Sequence, residues 1–189
     1  APSETLISDP YLVRTDSIGT PLWTRTLETP GTDEAFELVA TPDDSVVALA
    51  RYSPLADDSI LDLRLVRFDS AGEPTWDRTY ETSPVFWPSL AAMTDGYAMA
   101  STFYDAGIPD HNPALVVRVD SEGVERWRRE LYGGHWTFAF VVQASDENLL
   151  VIGSTGWDHE QRLHAVKLDD SGNVVWDRTY ESEDAVQIA

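Results

Sequence analysis

Cysteine is absent from the 189 residues, which removes disulfides, thiolate metal sites and cysteine nucleophiles from consideration. Lysine is nearly absent too: Lys167 is the single one, and arginine supplies the rest of the thirteen basic residues. No apolar run approaches the ~18 residues of a membrane-spanning helix. The chain has no Asn-x-Ser/Thr sequon, no Gly-x-Ser-x-Gly elbow, no Gly-x-Gly-x-x-Gly or phosphate loop, and no His-x-His or His-Glu-x-x-His pattern. The opening Ala1-Pro2-Ser3-Glu4 has neither a basic nor an apolar signal-peptide region, so a leader is expected to have been removed already or never to have existed.

Acid is present in excess. Thirty-three Asp and Glu face thirteen Lys and Arg, for a formal net charge of −20. Such a charge repels itself and destabilises a compact chain at low salt. At ~1 M salt the Debye length falls to ~3 Å and the repulsion is screened. Acidity combined with lysine loss resembles the adaptation of proteins from extreme halophiles. The same charge disfavours nucleic acid as a partner. Hydrophobic residues make up 42% and aromatic residues 11% of the chain, enough to bury a core, so the sequence reads as folded.

Four segments of the chain superimpose. They run from Leu12 to Trp23, Leu65 to Trp76, Val116 to Trp127 and Ala165 to Trp176, with a period of about fifty residues. Each carries Asp (Asp16, Asp69, Asp120, Asp169), then Gly three residues later (Gly19, Gly72, Gly123, Gly172). Trp follows four residues after Gly (Trp23, Trp76, Trp127, Trp176), and Arg two residues after Trp (Arg25, Arg78, Arg129, Arg178). This spacing predicts a β-hairpin: Asp caps the turn through backbone amides and Gly supplies the positive φ. Trp and Arg at i and i+2 then share one strand face. A pattern repeated four times argues for a structural role.

A second, more continuously apolar hairpin lies between these units. Its copies run over 35–52, 89–103 and 138–154, with turns at Pro42–Ser45, Thr94–Gly96 and Ser145–Asn148. Small residues such as Ala92, Ala98, Ala100 and Gly153 suit strands buried on both faces. No helical period appears, so the expectation is all-β. Four strands per fifty residues is one blade of a β-propeller, with inner strands A and B and outer strands C and D. Three blades are expected over 35–81, 88–132 and 137–181. Residues 4–28 supply B, C and D of another, and 183–189 match Asp33–Ala40 and are read as its A strand, giving a single four-bladed domain over 1–189. An open array whose terminal strands pair with a neighbour is the alternative.

The Leu-Val-x-x-Asp-x-x-Gly-x-x-x-Trp unit resembles the tryptophan-containing repeats of secreted bacterial and archaeal β-propellers. It is also similar to the docking motif of quinoprotein-type propellers, in which Trp packs between adjacent blades. The links depart from the pattern: Gly133-Gly134 keeps a double glycine, while Ser83-Pro84 and Pro30-Gly31 stand elsewhere. The resemblance implies a secreted or cell-surface propeller. A quinone cofactor would need a larger ring, so no cofactor is expected.

If the recurrent tryptophans pack blades together, three remain. Trp87 and Trp136 fall in D–A links and Trp157 in a B–C loop, together with His111, His135, His159, Asp105 and Asp158. These residues map to one end of the blades and form the expected ligand-binding set, because binding residues concentrate on loops held by a rigid scaffold. The A–B and C–D turns at the other end read as plain, and His164 as an ordinary strand residue. Zinc finds no ligand spacing. For calcium, Asp57, Asp58 and Asp62, or Asp105 and Asp110, are the conceivable oxygen donors. The functional expectation is a non-enzymatic extracellular or cell-surface module of a halophile that binds a protein or glycan partner. Two alternatives are a filament or surface layer built by strand exchange, and a hydrolase using loop carboxylates.

Overall fold

A computed structural model describes residues 9–28, 31–54, 61–82, 85–103, 112–133, 136–156 and 162–181. Among these the chain is all-β, with antiparallel sheets and no α-helix. It divides into two compact units, 1–84 and 85–189. In the first, β1 (Tyr11–Thr15) pairs with β2 (Pro21–Thr26). A four-stranded sheet follows in the order β3 (Thr32–Ala40), β4 (Val46–Ser53), β5 (Asp62–Phe68), β6 (Pro74–Tyr80). The second unit has two such sheets. One is β7 (Val85–Met93), β8 (Gly96–Phe103), β9 (Ala114–Asp120), β10 (Glu125–Leu131). The other is β11 (Trp136–Gln143), β12 (Leu149–Thr155), β13 (Arg162–Leu168), β14 (Val174–Tyr180). Residues 4–8 and 183–189, expected to complete the first blade, lie outside the described residues.

The turn chemistry repeats almost atom for atom. The carboxylate of Asp16 accepts the N–H groups of Ile18 (3.0 Å) and Thr20 (2.8 Å); Asp69, Asp120 and Asp169 do the same to residues two and four further on, at 2.8 to 3.0 Å. The glycines that follow sit at φ between +72° and +87°. Aspartate therefore satisfies two turn amides while glycine provides the left-handed residue that a hairpin bulge requires.

Sheets pack by way of the recurrent tryptophans. In the first unit Trp23 joins Leu12, Leu27, Ala48, Val66 and Phe68, so the β1–β2 hairpin is sealed onto the next sheet. Its indole lies over Gly72, where a Cβ would come within 2.6 Å of the ring, and its N–H donates to the Ser70 carbonyl at 3.2 Å. In the second unit Trp127 lies over Gly172 in the same way and donates to the Asp170 carbonyl at 2.8 Å. The arginine two residues on reinforces each contact: Arg25 reaches Glu73 at 2.5 Å, and Arg129 reaches the Gly172 carbonyl at 2.8 Å. Glycine is thus needed in these turns both for its φ and for the ring that rests on it.

Small residues draw the two sheets of the second unit together. Ala91, Ala98, Ala100 and Ala114 share a core with Ala139, Val141, Leu149 and Val151. The Ser89 hydroxyl accepts the Val141 N–H at 3.0 Å and lies 3.3 Å from the Ala139 carbonyl, joining inner strands β7 and β11. A buried hydroxyl paired on both sides avoids the cost of an orphaned polar group.

Candidate functional site

The feature most at odds with its local sequence is Trp87. Strand β7 skips register between Phe86 and Ser89, so Trp87 and Pro88 form a bulge. Trp87 takes φ +52° and is 65% exposed. Bulky residues seldom adopt positive φ, and the steric demand of a following proline pushes its predecessor toward extended backbone. The bulge is held from beside: the hydroxyls of Ser101 (2.7 Å) and Thr102 (3.3 Å) both donate to the Phe86 carbonyl. A conformation of this kind costs on the order of 1–3 kcal/mol and persists only where its surroundings impose it.

Trp136, expected beside Trp87 in the binding set, is fully buried and is withdrawn from that set. Its indole stacks on His164 with centroids 4.7 Å apart, and it belongs to the core of the second unit. His164 is likewise more than an ordinary strand residue. It is buried, its Nε2 lies 2.6 Å from Asp177, and its Cε1 would be 2.4 Å from a Cβ at Gly133. The Gly133 of the double-glycine link is therefore a close-approach position. Trp157, His111, His135, His159, Asp105 and Asp158 lie outside the described residues, as do Asp57, Asp58 and Asp110. Asp62 accepts the Thr82 N–H at 2.9 Å. Among the described residues no group of three or more His, Asp or Glu is placed to hold a metal ion, and no helix is long and apolar enough to cross a membrane.

The turn end of the sheets is richer than expected. A cavity of about 370 Å³ opens in the second unit, lined by Met93, Thr94, Asp95, Arg118, Gln143 and Asp146 among others. Arg118 is 1% exposed and bonds the Tyr97 and Val119 carbonyls and Asp95, which Arg126 also holds. The hydrogen bond from Arg126 and the charge of Arg118 keep the Asp95 carboxyl below its usual range. Lys167 does the same for Asp146. Carboxylates held ionised in this way present fixed charge and are poorly suited to exchanging protons near neutrality.

These pairs reveal a repeat element that the motif reading passed over. The basic residue two before each turn aspartate reaches an A–B turn: Arg67 to Asp43 at 2.6 Å, Arg118 to Asp95, Lys167 to Asp146. Arg14 instead bonds the Asp44 carbonyl at 2.8 Å. The signal lay in the Leu-Val-Arg-x-Asp string itself, where Lys167 occupies an arginine position. Compared with known proteins, the chain matches no family model, and no curated protein resembles it closely enough to be matched.

Proposed function

We propose that the protein is a non-enzymatic interaction module built of tryptophan-repeat blades, working at the surface of a halophilic cell or outside it. The finer fold in this reading is a four-bladed propeller in which residues 183–189 supply the inner strand of the blade begun by β1 and β2. The observation that carries the functional reading is Trp87: an exposed indole on a strained bulge, braced by two hydroxyls. Exposed indoles offer a flat apolar face with a polar edge, which suits stacking on sugar rings. A glycan array probed in molar salt tests it. The expected result is binding by the native chain that Trp87→Ala lowers at least tenfold; no binding, or binding unaffected by that change, ends the glycan reading.

The environmental part of the reading rests on the net charge of −20 and the lone lysine. Circular dichroism is expected to lose its β signal in dilute buffer and to regain it above ~1 M salt, as screening removes self-repulsion. A full native spectrum in dilute buffer contradicts a halophilic origin.

A second reading, assembly by strand exchange, is favoured by one observation. The β1–β2 hairpin leaves Tyr11, Val13 and Leu22 exposed while Leu12 packs inward. It calls for concentration-dependent oligomers, and a monodisperse monomer at high concentration rules it out.

A further inference from the structure

The inner strands share one pairing register. Glu37, Ser89 and Phe140 occupy the same position, pairing with Leu49, Ala100 and Ile152. In β7 this position and the one two further on, Ser89 and Ala91, face the following inner strand: Ser89 bonds Val141 and Ala139, and Ala91 shares their core. In β11 the corresponding residues are Phe140 and Val142, which are 53% and 45% exposed. They point away from β7, since the alternate residues Ala139 and Val141 are the buried ones.

We propose that this face of β11 is the seat of the chain's own end, residues 183–189. The inference rests on the four-bladed reading and names the contact that completes it. Residues 183–189 match Asp33–Ala40, so Ile188 stands where Leu38 stands, which pairs with Ala48 as Val141 of β11 pairs with Val151. By the relation seen between β7 and β11, Ile188 meets Phe140 and Val142. Links 81–84 and 132–135 carry the chain from β6 to β7 and from β10 to β11, and residues 181 and 182 are the shorter link between β14 and this segment. Attachment to the same chain gives this segment an effective concentration that a second molecule at ordinary dilution lacks.

The absence of cysteine makes the test clean. The double variant Val142→Cys with Ile188→Cys is oxidised in molar salt and resolved on a non-reducing gel with thiol counting. The expected result is a monomer with no free thiol, while pairing Val142→Cys with Gln187→Cys, whose side chain alternates to the other face, gives much less closure. A disulfide-linked dimer overturns the own-chain seat and supports strand exchange. Free thiols in both pairs overturn the seat altogether, without bearing on Trp87. As a second measurement, deleting 183–189 is expected to raise binding of an apolar fluorescent dye several-fold. Unchanged dye binding overturns the proposal as well.

Discussion

The second and fourth repeats solve one shared interior position with different chemistry. In the sheet β3–β6, Arg64 bridges Asp33 at 2.8 Å and grips both oxygens of Asp77 at 3.0 and 2.6 Å. In the sheet β11–β14 the same place holds His164, stacked on Trp136 and bonded to Asp177. In the sheet between them Leu115 and Val85 stand there, both buried. The turns of the same repeats scarcely vary. Turn geometry is imposed by backbone amides that every copy must satisfy, whereas an interior pair need only fill its volume and satisfy its own polar atoms. Repeats are therefore free to diverge inside and constrained at their turns.

The sharpest way to break this comparison is to truncate both sides of it. Arg64→Ala leaves the fully buried Asp33 carboxylate without its guanidinium and is expected to cost about 3–5 kcal/mol. His164→Ala removes a stacked ring whose polar partner is half-exposed and can hydrate; it is expected to cost about 2 kcal/mol. Urea midpoints in molar salt, at unchanged slope, measure both. Equal costs would mean that the ion pair adds nothing beyond volume.

Next in size is the turn glycine. Gly72→Ala meets both an unfavourable φ of +81° and the Trp23 ring, for a loss of about 2–4 kcal/mol. Gly19 has φ +87° and no atom within 4 Å of an added Cβ among the described residues, so Gly19→Ala is expected to cost only about 1 kcal/mol. If the two variants unfold at the same midpoint, the tryptophan contact is not a constraint. Smaller still, and opposite in sign, Trp87→Gly relieves the positive φ and is expected to stabilise by about 1 kcal/mol while abolishing the proposed glycan binding. A destabilised variant would show that the indole is part of the packing.

Acid sharpens the comparison of the A–B turns. The Thr41 hydroxyl, the Ser45 N–H and the charge of Arg67 pull Asp43 down to about 2, and Lys167 lowers Asp146. Backbone amides lower Asp16 and Asp169. A carboxylate depressed in the folded state contributes stability above its unfolded pKa of ~3.9, and that contribution is lost as pH falls toward the folded value. Thermal midpoints in molar salt should hold from pH 7 to ~4 and then decline, with an NMR titration of Asp43 centred near 2. A midpoint near the unperturbed value would mean that the turn hydrogen bonds do not persist in solution.

Much of the architecture was legible without coordinates because it is written in backbone requirements. Asp69, Gly72 and Trp76 at fixed spacing specify a turn that few other residue sets could make, and alternating apolar runs specify strands. Recurrence marked the tryptophans as structural, but the glycine that Trp23 and Trp127 rest on showed only in the structure. The site was less legible. Trp87 and Trp136 both read as link residues in sequence, yet Trp136 takes the strand position that Val85 holds in β7 and stacks on His164, whereas Trp87 falls two residues later, in the bulge of β7. The cavity beside Arg118 left no local trace, since its walls come from turns of two sheets.

Residue types and their period alone dictate an all-β chain of hairpins with aspartate–glycine turns and a surplus of acid, because these depend only on short-range sterics, hydrogen bonding and summed charge. Which tryptophans face solvent, which carboxylates are held ionised and where an interior histidine finds its partner were decided by packing between strands far apart in the chain. Burial is a property of neighbours, and neighbours are set by the fold.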